Sequence, residues 1–167
     1  MDEPGFRLLA PAEVAGFACR SRALERLLAY WCRQRGDIDP ADMVELLPHI
    51  MMVEMVGAPP RPRYRLVGTA IVECAHFDFT NQFADELLFQ DSAGTDWAGD
   101  YHRVAAARTP GFGVSRWLPA NRTPRWIEYL ICPLSRDGET VDRFISIEDY
   151  EPLTVIEREA LPAVHKH

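Results

Sequence analysis

The chain has no apolar run approaching the ~20 residues needed to cross a bilayer, and no basic stretch leading into an apolar core at its N-terminus. Neither membrane insertion nor a secretion leader is expected, and the cytoplasm is the expected compartment. Positive charge is scarce as well: 18 Lys and Arg stand against 25 Asp and Glu, a formal net charge of -7. Phosphate contacts need a basic surface, so no nucleic-acid partner is expected. Cysteine is sparse. Cys19, Cys32, Cys74 and Cys132 are scattered, with no C-x-x-C pair to hold zinc or run redox exchange. They read as compact thiols packed like small hydrophobes. A P-loop, a Gly-rich dinucleotide turn and a nucleophile elbow are all missing, so no motif organises a catalytic residue.

What is present is ordinary for one globular domain: 167 residues, 47% hydrophobic and 26% charged. A chain of this length buries roughly 70% of the surface its unfolded form exposes. Residues 11–35 read as helical, most strongly over 21–35. Leu24, Leu27, Leu28 and Trp31 fall at the i, i+3, i+4, i+7 spacing of one helix face. Ser21 is a candidate N-cap and Gly36 follows the last turn, where a C-cap favours positive φ. Asp39 and Pro40 suit the cap and first position of a short helix that should end before Pro48.

Ile50–Val56 and residues 63–67 read as a hairpin joined by the stiff segment Gly57-Ala58-Pro59-Pro60-Arg61-Pro62. The P-x-x-P spacing of Pro59 and Pro62 fits that stiff loop better than it fits a polyproline ligand. Gly68-Thr69 then turns the chain into a short helix over 69–75, an irregular stretch over 77–81 and a turn near 85–88. A longer helix should run from Gly94 or Thr95 to Ala107, with Trp97, Tyr101 and Val104 on one side. Three strands follow at about 112–118, 125–132 and 141–149, with a short terminal helix near 152–160. The order is helix, two strands, a helical block and three strands. Consecutive hairpins imply an antiparallel sheet with helices on its faces, an α+β fold. We divide the chain into 1–20, an N-terminal segment that is partly helical; 21–150, the domain with its N-terminal helix; and 151–167, a C-terminal tail.

Leu28-Ala29-Tyr30-Trp31, Asp37-Ile38-Asp39-Pro40, Leu46-Leu47-Pro48-His49, Tyr64-Arg65-Leu66-Val67-Gly68-Thr69-Ala70 and the Pro133-Leu134-Ser135 turn together resemble the stand-alone PAS-domain family of bacteria. The resemblance implies a five-stranded antiparallel sheet in spatial order 2-1-5-4-3, with helices over one face and an N-terminal helix that mediates dimers. It implies a sensor or signalling role without catalysis. A small-molecule ligand, a signalling-protein partner or both would act through a homodimer or partner contacts. The ligand pocket so implied is bordered by Val53, Tyr64, Ile71, Ala75, Phe79, Trp97, Tyr101, Val104, Tyr129 and Ile145. The dimer interface would be Leu24, Leu27, Leu28 and Trp31. Because no output domain follows residue 150, any signal is expected to pass through another chain.

The sequence leaves the family pattern after Glu73. Ala75-His76 stands where the family has an aromatic-Gly pair, and Asp78-Phe79-Thr80-Asn81 where it has Asp-Leu-Thr-Gly. Asn tolerates the left-handed backbone region. Ala75 in place of an aromatic opens space unless Phe77 or Phe79 fills it. Neither haem nor flavin is supported by a motif: His76 and His102 lack an organised haem site, and the flavin-linked cysteine motif of light-sensing relatives is absent. No metal site is expected from His49, His76, His102, His165 and His167. Arg61, Arg63 and Arg65 offer either a small basic patch or a solvated face. The competing reading is a small cone-fold enzyme of the ketosteroid-isomerase type, with Glu54, Glu73, Asp78, Asp100 or Glu128 as acid or base in an apolar cavity. Two strands ahead of the helical block favour the sensor fold over the cone.

Overall fold

Ser21 begins the N-terminal helix, as its position predicts. In the computed structural model, which describes residues 5–34, 38–87, 95–117 and 125–150, its hydroxyl accepts the Leu24 amide at 3.2 Å. That bond satisfies one of the donors a helix start leaves open. Helix α1 spans Arg22–Gln34, and its Leu24, Leu27 and Leu28 are buried against the sheet. Trp31 packs beside them and donates its indole N–H to the Pro133 carbonyl at 2.7 Å. The three leucines expected to meet a second copy are therefore already covered by the chain's own strands, while Trp31 is half-buried. That corrects the assignment of Leu24, Leu27 and Leu28 to a dimer interface. An amphipathic period shows that a face is buried, not what buries it.

The strands are β1 (Gly5–Leu8), β2 (Ile50–Val56), β3 (Arg61–Val67), β4 (Gly111–Trp117), β5 (Arg125–Leu134) and β6 (Arg143–Asp149). They form one antiparallel sheet in the order β1-β4-β5-β6-β2-β3. Read from β3, its first five strands follow the expected 2-1-5-4-3. The sixth corrects the strand count: residues 5–8 lie in the segment read as partly helical, yet they extend the sheet beside β4. Phe6 explains the docking, since its ring stacks on Tyr129 with centroids 6.0 Å apart and planes 11° apart. Gly111 makes room for it, because a Cβ there would stand 2.1 Å from the Phe6 ring.

Both faces of the sheet are covered, which accounts for the alternation in β6. Ile145 and Ile147 face α1, while Phe144 packs with helix α3 (Trp97–Ala107) on the opposite face. In β5, Leu130 and Cys132 face α1, and Ile127, Tyr129 and Ile131 face α3. Asp96 caps α3 by accepting the Gly99 amide at 2.9 Å, and Arg108 ends it in the left-handed region at φ 57°. A 3-10 segment, Pro40–His49, is capped by Asp39 and runs past Pro48, where its end was expected. The segment after helix α2 (Thr69–Ala75) covers the outer edge of β3: Tyr64 N–H donates to the Gln82 carbonyl at 2.9 Å and Asn81 N–H to the Tyr64 carbonyl at 2.6 Å. That edge is thereby withdrawn from pairing with another chain. The tail 151–167 and its expected helix lie outside the described residues.

Gly68 joins sheet and helical block by close backbone approach. Its N–H donates to the Ile50 carbonyl at 2.8 Å, and a Cβ would stand 2.2 Å from the Pro48 carbonyl oxygen. Backbone cannot swing aside as a side chain can. Gly68→Ala is expected to cost ~2 kcal/mol or more in urea unfolding, as overpacking of a closed site does. An unchanged midpoint would show that the hinge has slack.

Candidate functional site

Helices α2 and α3 lie over the face of the sheet that carries Met51, Val53, Tyr64, Ile127, Tyr129, Ile131 and Phe144. All the residues expected around a pocket belong to or pack against this cluster except Ile145. Ile145 faces α1, one residue out of phase with Phe144 and Ser146, because side chains alternate along a strand. The pocket itself is lined by Tyr64, Ile71, Ala75, Phe79, Trp97, Ile127, Glu148 and Tyr150. Its free core is about 10 Å³, room for about one water, within about 310 Å³ that includes its open mouth.

Aromatic rings account for this closure. Phe79 meets Tyr64 edge to face at 4.7 Å between centroids, and Tyr64 meets Tyr101 similarly at 6.2 Å. Phe79 is buried and lines the pocket together with Ala75, whereas Phe77 is exposed. Both departures from glycine fall in left-handed backbone, His76 at φ 64° and Asn81 at φ 69°. Ala75→Phe is expected to cost ~1–3 kcal/mol by overpacking, read as a lower melting temperature, because the free core of about 10 Å³ beside Ala75 has no room for a benzyl ring. A raised melting temperature would show that the space beside Ala75 stands open.

The interior of this face is polar as well as aromatic. Glu148 is 8% exposed, and its carboxylate accepts the Tyr150 hydroxyl. Burial pushes its pKa up to about 7, against the lowering effect of that bond. Asp100 is raised to about 6, first by burial; the Tyr129 hydroxyl, which donates to it at 3.0 Å, and nearby Arg103 oppose the rise. Tyr101 and Ser146 share a hydrogen bond of 3.1 Å. The Trp97 indole N–H is buried with no acceptor among the described residues.

Glu148, Tyr150 and Ile127 were not expected in the lining. Their signal lay in the alternation Phe144, Ser146, Glu148, which reads as a half-solvated face until helices are placed over it. On the opposite face, Glu128 accepts the Ser21 amide at 2.8 Å and the Arg20 amide at 3.4 Å, beside the start of α1. The Ser21 hydroxyl donates to Asp149 at 2.5 Å. Consecutive residues of one strand thus touch both layers: Glu148 the pocket, Asp149 the helix start.

The remaining candidates are dispersed. Arg61 is held by Asp85 and Glu86, and Arg63 by Glu54, so these two cations of the suggested basic patch are paired. His76 and His102 are exposed. Among the described residues no group of three or more His, Cys, Asp or Glu could hold a metal ion, and no helix is long and apolar enough to cross a membrane.

Residues 19–147 match the family described as PAS domain. No curated protein matches the chain. Among solved structures, a light-oxygen-voltage domain studied with a flavin analogue aligns with TM-score 0.50 and 10% identity, over 72% of this chain and 87% of that one. The dark structure of the blue-light photoreceptor Aureochrome1 LOV aligns with TM-score 0.50 and 9% identity, over 75% of this chain and 90% of that one. At these identities the likeness is one of fold.

Proposed function

Since the chain belongs to the PAS domain family, we propose that it is a non-catalytic sensor that takes a small molecule between its sheet and helices α2 and α3. The observation that carries this reading is the Trp97 N–H, buried beside the pocket without an acceptor among the described residues. Such a donor costs ~1–3 kcal/mol, which a ligand oxygen would recover. The carboxyls considered for an enzyme are engaged elsewhere, which supports the same reading: Glu54 by Arg63, Asp78 by Thr80 and Glu128 by the start of α1. Asp100 holds the Tyr129 hydroxyl, and Glu73 is exposed. A flavin, as studied in the light-oxygen-voltage neighbour, would have to displace Tyr64, Phe79, Trp97 and Tyr150 much further than a small molecule would. Haem finds no inward-facing histidine in His76 or His102, since both are exposed.

The response in this reading leaves through the end of β6. A ligand that moves Glu148 moves Asp149, which holds Ser21 at the start of α1. The outer face of α1, with Arg22, Arg26 and Arg33 exposed, is then what a second copy or a signalling partner meets in the bacterial cytoplasm. Native mass spectrometry of protein isolated from its own cells tests the ligand: an added small-molecule mass, lost on denaturation, is expected. Bare protein, unchanged after incubation with a metabolite extract, would remove the reading.

A further inference from the structure

We propose that the pocket takes a small organic ammonium ion bearing an oxygen acceptor, with the cation held by Glu148 among Tyr64, Phe79, Trp97 and Tyr150. The inference rests on the sensor reading above and adds the ligand's chemistry. Its first support is a carboxylate with no cation beside it among the described residues. Glu148 lines the pocket, is 8% exposed and, among the described residues, takes one side-chain hydrogen bond, from the Tyr150 hydroxyl. The ionisable groups felt around it are the Tyr64, Tyr101, Tyr129 and Tyr150 hydroxyls, with Cys74 beside Tyr150 and Asp100 beside Tyr129. His49 approaches only its backbone carbonyl, at 3.1 Å. None of these supplies a positive charge to the carboxylate, so holding it charged in this site is costly, and a bound cation would offset that cost.

The second support is the wall. Half of the lining is aromatic, and ring faces attract a desolvated ammonium ion. Ile71, Ile127 and Ala75 offer apolar surface for its methyl or methylene groups. The third is Trp97, whose buried N–H lacks an acceptor among the described residues. A bare cation would leave that donor unmet, so the ligand carries an oxygen as well. Because the free core holds about one water, binding also displaces the walls.

Calorimetry and thermal shift on the full chain test this at about pH 8, where Glu148 is ionised. The probes are choline, ethanolamine and the uncharged choline isostere 3,3-dimethylbutan-1-ol. We expect at least one of the two ammonium probes to bind and raise the melting temperature, and the alcohol to do neither. Glu148→Gln should weaken ammonium binding at least ~10-fold, and Trp97→Phe, which keeps a ring and loses the donor, several-fold. Equal binding of choline and the alcohol would overturn the ammonium class while leaving a ligand pocket. So would undiminished binding by Glu148→Gln, or no ammonium binding at millimolar concentration. Failure of the pocket itself is read separately, from bare protein in native mass spectrometry.

Discussion

Glu148→Gln is expected to stabilise the protein at about pH 8 by ~2 kcal/mol and to leave it nearly unchanged at about pH 5. The Glu148 pKa rises from 4.5 to about 7 because burial disfavours the charged form. Between those values the folded state binds more protons than the unfolded state, so stability must fall as pH rises. The full shift corresponds to ~3 kcal/mol, and the amide removes it while keeping an oxygen for the Tyr150 hydroxyl. Asp100, raised to about 6, pushes the same way from a lower starting pH. Urea unfolding across this range reads both. Parallel wild-type and variant profiles would show that Glu148 is solvated.

Leu28→Asp is expected to unfold the domain, where a helix seam between two copies would merely come apart. Leu28 is 3% exposed in the layer between α1 and the sheet. A carboxylate there would have no partner, and such a burial ranks among the largest single-residue effects known, beyond ~4 kcal/mol. The milder Leu27→Ala should cost ~2–5 kcal/mol through the cavity it leaves. Circular dichroism separates the outcomes: a folded Leu28→Asp monomer would mean that α1 packs on a partner after all.

The fold was legible where local chemistry and periodicity agree. Ser21, the Leu24-Leu27-Leu28 spacing, Asp39-Pro40 and the hairpin ahead of Gly68-Thr69 each point to the element found. The edge strand at Gly5–Leu8 was not legible, because four residues carry too little alternation, and Phe6 has its partners more than a hundred residues away in Gly111 and Tyr129. The pocket was legible in its aromatic wall and not in its charge. Glu148 sits where a strand with one open face would put a solvated carboxylate, and only the placement of α2 and α3 turns it inward. Ile145 failed for the complementary reason: its hydrophobicity suits either face, and register alone decides.

Glu148 and Asp149 link the pocket to the start of α1. Spatial contact does not establish coupling. Hydrogen exchange of the wild type and Glu148→Gln, compared at about pH 8 where the wild-type carboxylate is charged, measures it without any ligand. Slower exchange in the variant is predicted in β6 and α3 and also at the start of α1, over the amides of residues 21–28. A change confined to β6, α2 and α3, with none in residues 21–28, would contradict it.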